Sequence, residues 1–455
     1  MILLIASWIA VGILVLSIAQ SFFALSYAGQ LLRSSKRNSD SPLPRAAVIL
    51  SLRGADPFLY ANMLGVLDQD YPDFSLFIIV DSELDSAWPD VHRIQSHAPN
   101  RVVTMVVKNR LTTCSLKCCA LAEAVEQLDE SYEVVSFLDG DTSPHRRWLR
   151  DLVEPLANTR TGVTTGNRWY TPETITWGSL VRYFWNAGAV VQVWLNEITW
   201  AGSMAMRLDV IRKIGLIDAW RKSLSVDGAV SRCMRSEGLK TVFVPTVIMP
   251  NKEDISISQF IPWSERQLVA AKSSGSGWAV VLFHAFAIAS CIVAPLIVLA
   301  LGILWQDSRL SWLGFAIMLI YWGTAMASTL IIEKGIQHVL RRNEMKSGWM
   351  TTQAWIQFFP AIVLSHLVYF RALAGACFRT RVSWRGVEYQ INGVNEVQRL
   401  NYQPYQSSIE NNDTSSITYS WLVIAIDLGA FLFDNRERSE LTFHLGSNDV
   451  CSFLR

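Results

Sequence analysis

Val134-Val135-Ser136-Phe137-Leu138 runs directly into Asp139-Gly140-Asp141. An apolar run of five residues that ends on two carboxylates reads as a buried strand with an acidic turn at its carboxyl end. Asp supplies hard oxygen ligands, and the intervening Gly lets the backbone turn sharply enough for both side chains to face one divalent cation. An ordinary strand followed by a polar turn has the same composition, so the neighbouring segments decide.

Those segments alternate. Ala46-Ala47-Val48-Ile49-Leu50 is strand-like, and Phe58 to Leu67 has helical spacing. Leu76-Phe77-Ile78-Ile79-Val80 is a second strand that ends on Asp81, and Val102 to Val107 is a third. A helix with Leu121, Ala124, Val125 and Leu128 on one face precedes the run that ends at Asp139. Repeated strand–helix–strand units predict an α/β fold with a mostly parallel, Rossmann-like sheet between helices. Ligands in such folds collect beyond the carboxyl ends of the strands, where Asp81 and Asp139 both lie.

Outward from this domain, placed at residues 42–272, the chain turns apolar. Of 455 residues, 51% are hydrophobic, and a mean hydropathy of +0.23 exceeds that of an ordinary soluble protein. Residues 1–32 read as an N-terminal anchor, because Ile2 to Leu25 is long enough to span a bilayer and Arg33, Lys36 and Arg37 follow it. Residues 278–333 read as a helical hairpin, again followed by basic residues. The segment 350–376 is interrupted by Pro360, Gln357 and His366. It is re-entrant or spanning, and a crossing would carry Arg379, Arg381 and Arg385 to the face that basic residues avoid. These signals predict an integral protein of a plasma or inner membrane with its α/β domain in the cytosol. Residues 379–405, with Trp384 and Tyr389, read as a short interfacial element at headgroup level, and 411–455 matches no pattern.

Lys+Arg 40 against Asp+Glu 39 leaves no basic excess, so nucleic acid is not an expected partner. Seven Cys form no disulfide framework, which fits a reducing compartment; Cys114, Cys118 and Cys119 lack the second ligand pair of a zinc site.

The ordered set Arg53-Gly54, Asp81, Cys114-Ser115-Leu116-Lys117, Asp139-Gly140-Asp141, Trp200-Ala201-Gly202-Ser203 and Ser225-Val226-Asp227 resembles the nucleotide-sugar domain of inverting family 2 glycosyltransferases. Within that group it is most similar to the ceramide glucosyltransferase-like, family 21-type membrane enzymes, over roughly residues 1 to 400. The resemblance implies a GT-A-like fold, a nucleotide-diphosphate sugar donor, a membrane lipid acceptor in the bilayer and Mg2+ or Mn2+ as cofactor. Asp139 and Asp141 are the implied metal ligands and Asp81 the partner of the nucleoside. Arg53 and Gly54 fall where the base or ribose lies, or form a solvated turn. Lys117 is a cation for the phosphates or a solvated helix lysine. Trp200, Gly202 and Ser203 are expected to form the floor where sugar and acceptor meet.

Asp227 is the candidate general base, since an ionised carboxylate accepts a hydroxyl proton as attack begins. The alternative is a helix cap, and Val226 replaces the acidic neighbour usual in the resembling enzymes. Many of these also carry Gln-x-x-Arg-Trp after the base. Here Gln259-Phe260-Ile261-Pro262-Trp263 places Pro at the Arg position, and Arg266 with Gln267 is the candidate replacement. Val226 and Pro262 keep open a catalytically degenerate membrane scaffold of the same fold. A processive polysaccharide synthase is the other alternative, and it calls for the intact motif and more spanning helices.

Overall fold

A computed structural model describes residues 2–33, 43–56, 58–275, 277–345 and 352–405. The tail 411–455 and the basic residues Lys36, Arg37 and Lys346 lie outside the described residues.

The α/β domain is built on β1 (Ala46–Leu52), β2 (Phe74–Val80), β3 (Val102–Val106), β4 (Val134–Leu138), β5 (Thr161–Tyr170), β6 (Ser203–Arg207) and β7 (Lys240–Asn251). They form one sheet in the order β3-β2-β1-β4-β6-β5-β7. β1 pairs in parallel with both β2 and β4, and β5 with β7; β6 alone runs antiparallel to its neighbours β4 and β5. Alternate residues face opposite layers. Ala47, Ile49, Val135 and Phe137 enter one core with α4 (Leu116–Glu126), α7 (Leu208–Lys213), α8 (Leu216–Trp220) and α9 (Val226–Ser236). Ala46, Val48, Leu50 and Val134 enter the other with α2 (Leu59–Leu67), α3 (Trp88–His97) and α5 (Trp148–Val153). Because both faces are covered, these strands are uninterrupted apolar runs rather than alternating ones. Burying one side chain such as Phe137 contributes about 2–3 kcal/mol.

After β1 the chain moves outward to β2 and β3, then returns to place β4 on the other side of β1. The loops after β1 and β4 therefore part from each other and leave a crevice at the carboxyl edge of the sheet.

Four helices are long and apolar enough to cross a membrane: α1 (Ile2–Arg33), α11 (Trp278–Leu304), α12 (Ser308–Arg342) and α13 (Thr352–Phe378). Pro360 lies inside α13 without ending it. α11 and α12 approach closely through glycine: a Cβ on Gly314 would come within 2.6 Å of the Leu299 backbone. The membrane helices meet the domain in one core, where Tyr27, Ile332, Ile336 and Phe358 pack with Trp169, Leu180 and Tyr183. At its centre Glu333 of α12 accepts hydrogen bonds from Trp169 Nε1 (2.9 Å), Tyr183 Oη (2.8 Å) and Gln337 Nε2 (2.7 Å).

Two helices bridge domain and membrane parts, α6 (Trp177–Leu195) and α10 (Ile257–Ser273). Ser256 and Gln259 form a reciprocal capping box on α10. Gln259 is thus committed to starting a helix, and Pro262 lies inside that helix, at its sixth residue. Beyond α13 the segment 379–405 holds more than the single short strand its sequence suggests. It folds into a second sheet of β8 (Arg381–Trp384), β9 (Val387–Gly393) and β10 (Glu396–Arg399), all antiparallel, and this sheet packs on the α/β domain. Tyr389 is buried there, its hydroxyl accepting the Leu116 N–H at the start of α4 (3.2 Å).

Candidate active site

A cavity of about 530 Å³ opens at the crevice. Arg53, Asp81, Lys117, Asp139, Asp141, Trp200, Gly202, Asp227, Arg266 and Gln267 all line it.

Asp139 and Asp141 leave β4 through Gly140, where a Cβ would press to 2.8 Å from Leu52, and Asn62 Nδ2 holds the Gly140 carbonyl at 2.8 Å. Asp139 accepts from Lys117 Nζ and from Arg168 Nη2 (2.8 Å). The same Arg168 nitrogen reaches Asp141 Oδ1 at 3.2 Å, and Asn251 Nδ2 donates to Asp141 Oδ2 at 3.1 Å. Burial pushes the Asp139 carboxyl up, but Lys117 and Arg168 outweigh it and hold its pKa below the usual value. Gly202 is required beside it: a Cβ there would lie 2.6 Å from Asp139 Oδ2.

Asp227 lies in the first turn of α9, yet the cap of that helix is Ser225, whose hydroxyl accepts the Gly228 N–H. Its own Oδ1 accepts the Ala201 N–H at 2.5 Å. Burial raises its pKa, with Lys117 offsetting part of that rise. A carboxylate destabilised by burial is the better proton acceptor.

At the far end of the cavity Asp81 pairs with Arg53 Nη1 through Oδ2. Its Oδ1 is buried and has no hydrogen-bond partner among the described residues. Burial raises this carboxyl, Arg53 opposes the rise, and Asp85 beside it adds to it.

Two expected residues do not reach the cavity. Ser203 is buried, facing away in β6, and its hydroxyl accepts from Trp148 Nε1 at 2.8 Å. Gly54 has φ +81°, donates its N–H to Asp85 Oδ1 and lies under the Tyr405 ring, so it shapes the loop that carries Arg53.

Sequence reasoning missed Arg168 and Arg385. Arg168 projects from the end of β5, with no motif around it. Arg385 sits with Gly386 in the two-residue turn between β8 and β9, both at positive φ (46° and 76°). That pattern between two short strands is the hairpin signal that was available. Arg385 Nη2 reaches both carboxylate oxygens of Asp56 (2.9 and 3.1 Å), and Arg53 Nε donates to the Arg385 carbonyl at 2.8 Å. Trp384 lines the cavity, and the Arg266 guanidinium lies 5.6 Å from its ring centre. Arg266 makes no ion pair among the described residues. Burial, reinforced by Arg385, pushes its pKa down to about 10. An uncompensated cation facing Arg168 and Arg385 is a site prepared for an anion.

The model of the family described as "Glycosyl transferase family 21" matches residues 9–396. The chain belongs to glycosyltransferase family 21. It is a glycosyltransferase, and a hexosyltransferase by class. Two solved structures resemble this transferase weakly. The mannosyltransferase PcManGT from Pyrobaculum calidifontis, solved in complex with GDP-Man and Mn2+, is 16% identical with a TM-score of 0.41 over 80% of this chain and 99% of that one. GalNAc-T7, solved with UDP, GalNAc and Mn2+, is 13% identical with a TM-score of 0.37 over 53% and 52%.

Among the described residues no group of three His, Cys, Asp or Glu side chains forms a metal cage. The transferase offers two carboxylates that converge on one nitrogen, which fits an ion completed by substrate phosphate oxygens and water rather than by protein alone.

Proposed function

We propose that this transferase moves one sugar from a nucleotide-diphosphate sugar to a lipid hydroxyl by a single inverting displacement. The observation that carries the proposal is convergence: Asp139, Asp141, Asp227, Lys117, Arg168 and Arg266 face one cavity from five separate segments.

The nucleoside end of the donor lies at Asp81, with Arg53 beside it. The diphosphate lies between Lys117, Arg266 and the Asp139–Asp141 pair. Mg2+ or Mn2+ held by Asp139 and Asp141 supplies Lewis-acid neutralisation of the departing diphosphate. Asp227 takes the acceptor hydroxyl proton as the new glycosidic bond forms and the nucleoside diphosphate leaves. Trp200 and Gly202 bound the space next to Asp139 and Asp227, Gly202 admitting close approach and Trp200 offering a ring face to the sugar. Gln267 lines the same wall beside Arg266.

A lipid acceptor is supported by the opposite wall. Trp185, Ala189, Val190 and Val193 of α6 line the cavity, and α6 packs against α1, α12 and α13. An apolar path from the membrane helices to the carboxylates suits a lipid that presents its headgroup. The basic residues that flank the helices support a cytosolic catalytic domain.

The full chain, purified in detergent, tests this. Expected is sugar transfer from one member of a nucleotide-sugar panel to a lipid of a total membrane extract, read by mass spectrometry and abolished by chelator. Sugar transfer that continues undiminished in chelator overturns the metal assignment. Polymeric product, or nucleotide release that ignores added lipid, overturns the acceptor assignment.

A further inference from the structure

Every oxygen of the Asp139–Asp141 pair already has a donor. Arg168 differs from the other donors because a single nitrogen, Nη2, bonds both carboxylates, at 2.8 and 3.2 Å. It occupies the point between them where a bridging cation belongs. We propose that Arg168 is a built-in cation that competes with the divalent metal, so that metal binds tightly only together with the diphosphate of the donor. The inference rests on the metal-dependent reading above and adds an order of binding to it.

Three features support an exchange confined to the side chain. The backbone around Arg168 is fixed: its carbonyl accepts from Asn186 Nδ2 at 3.0 Å, and the next residue, Trp169, is buried and bonded to Glu333. The guanidinium also has neutral neighbours in the cavity that do not depend on the carboxylates: its carbon lies 5.1 Å from the Trp200 ring centre and its Nη1 donates to the Tyr170 hydroxyl at 3.4 Å. Its Nε is buried without a hydrogen-bond partner among the described residues, so the present pose leaves one donor unused. A metal alone has to displace a cation that two carboxylates hold. A metal with a diphosphate brings the anion that the released guanidinium can join, so the cavity's charge balance is kept.

The test is Mn2+ binding to the full-length transferase in detergent, followed by the free-ion electron paramagnetic resonance signal and requiring no turnover. Mn2+ alone is expected to bind wild type weakly. Arg168→Gln is expected to bind it at least about tenfold more tightly, the scale of one charged hydrogen bond. Adding UDP or GDP is expected to tighten wild type more than the variant. The double variant Arg168→Gln/Asp141→Asn is expected to lose the gain, which locates the ion. Equal Mn2+ affinity in wild type and Arg168→Gln overturns the competition while leaving the metal reading intact. No Mn2+ binding in any protein, with or without nucleotide, overturns the metal reading and the competition with it. Thermal unfolding of Arg168→Gln with and without Mn2+ provides the same comparison independently: a larger metal-induced rise in Tm than wild type is expected, and an equal rise counts against competition.

Discussion

Asp227 carries the sharpest prediction at the scale of single residues. Its carboxylate must be ionised to accept a proton, and burial raises its pKa. Activity is therefore lost as pH falls through a value above the ordinary Asp range near about 4. The acid limb of kcat/KM, measured at saturating metal, reports this group in the free enzyme. Asp227→Asn is expected to lower kcat by about a hundred- to ten-thousandfold and to remove that limb, while donor binding persists. An acid limb that survives in Asp227→Asn assigns the proton acceptor elsewhere. Asp81, Asp139, Asp141 and Asp227 were legible in the sequence because strand ends and a helix start fix where their side chains emerge. Arg168 was not, because β5 is long and internally irregular, with register shifts near Thr161 and Thr165, so nothing local marks which residue meets the cavity. Ser203 was misplaced for a related reason: it is the first residue of β6, and strand alternation turns it away from Gly202.

The β8–β9 hairpin decides the next scale. Its tip joins the loop after β1 through Arg385, Arg53 and Asp56, more than three hundred positions apart in sequence. Short strands paired only with each other leave a weak sequence signal, which is why the element looked like a lone interfacial strand. The main strands and helices were legible because their apolar runs are continuous and bounded. Arg385→Ala is expected to raise KM for the donor about tenfold, one charged hydrogen bond's worth, with a smaller effect on kcat, because the loop that carries Arg53 loses the Arg385 side-chain bonds to Asp56 and to the Arg53 carbonyl while the Asp227 side stays intact. Gly386→Ala forces an L side chain to φ 76° and is expected to cost about 1–2 kcal/mol, read as a lowered Tm together with the same rise in donor KM. Steady-state kinetics with unchanged donor KM in both variants separates the hairpin from the donor site.

For the whole molecule, the disposition of α13 sets the topology. By length and composition it qualifies as a span; by packing it lies along α6 and α10. Phe358 and Ala361 share a core with Tyr183 and Phe184 of α6, Leu364 and Val368 with Val181 and Phe260, and Ala372 and Ala376 with Leu268 and Val269 of α10. Lys272 Nζ donates to the last carbonyls of α13, Ala376 and Cys377 (3.1 and 2.6 Å), and Glu265 of α10 holds Arg371 and Arg379 at 3.0 and 2.9 Å. The preceding helix α12 ends on the domain as well, where Asn343 Nδ2 donates to the Thr246 carbonyl at 2.8 Å. A helix that rests on domain helices along much of its length, while His366 and Phe359 touch Tyr321 and Trp322 of α12, is expected to lie in the interface rather than to carry the chain across a bilayer. Ile356, Phe359 and Phe378 are exposed on its other side, as expected of a helix lying in the interface with its apolar face toward lipid. On that reading three crossings, α1, α11 and α12, are expected, which keep β8–β10 on the catalytic side, where the cavity has Arg385. Sealed vesicles of both orientations, treated with a membrane-impermeant maleimide, check this against the wild-type background. Thr159→Cys and Asn392→Cys are expected to label from one face and Ser308→Cys from the other. Asn392→Cys labelling together with Ser308→Cys means that α13 crosses, and then the small sheet and the carboxylates cannot share one cavity.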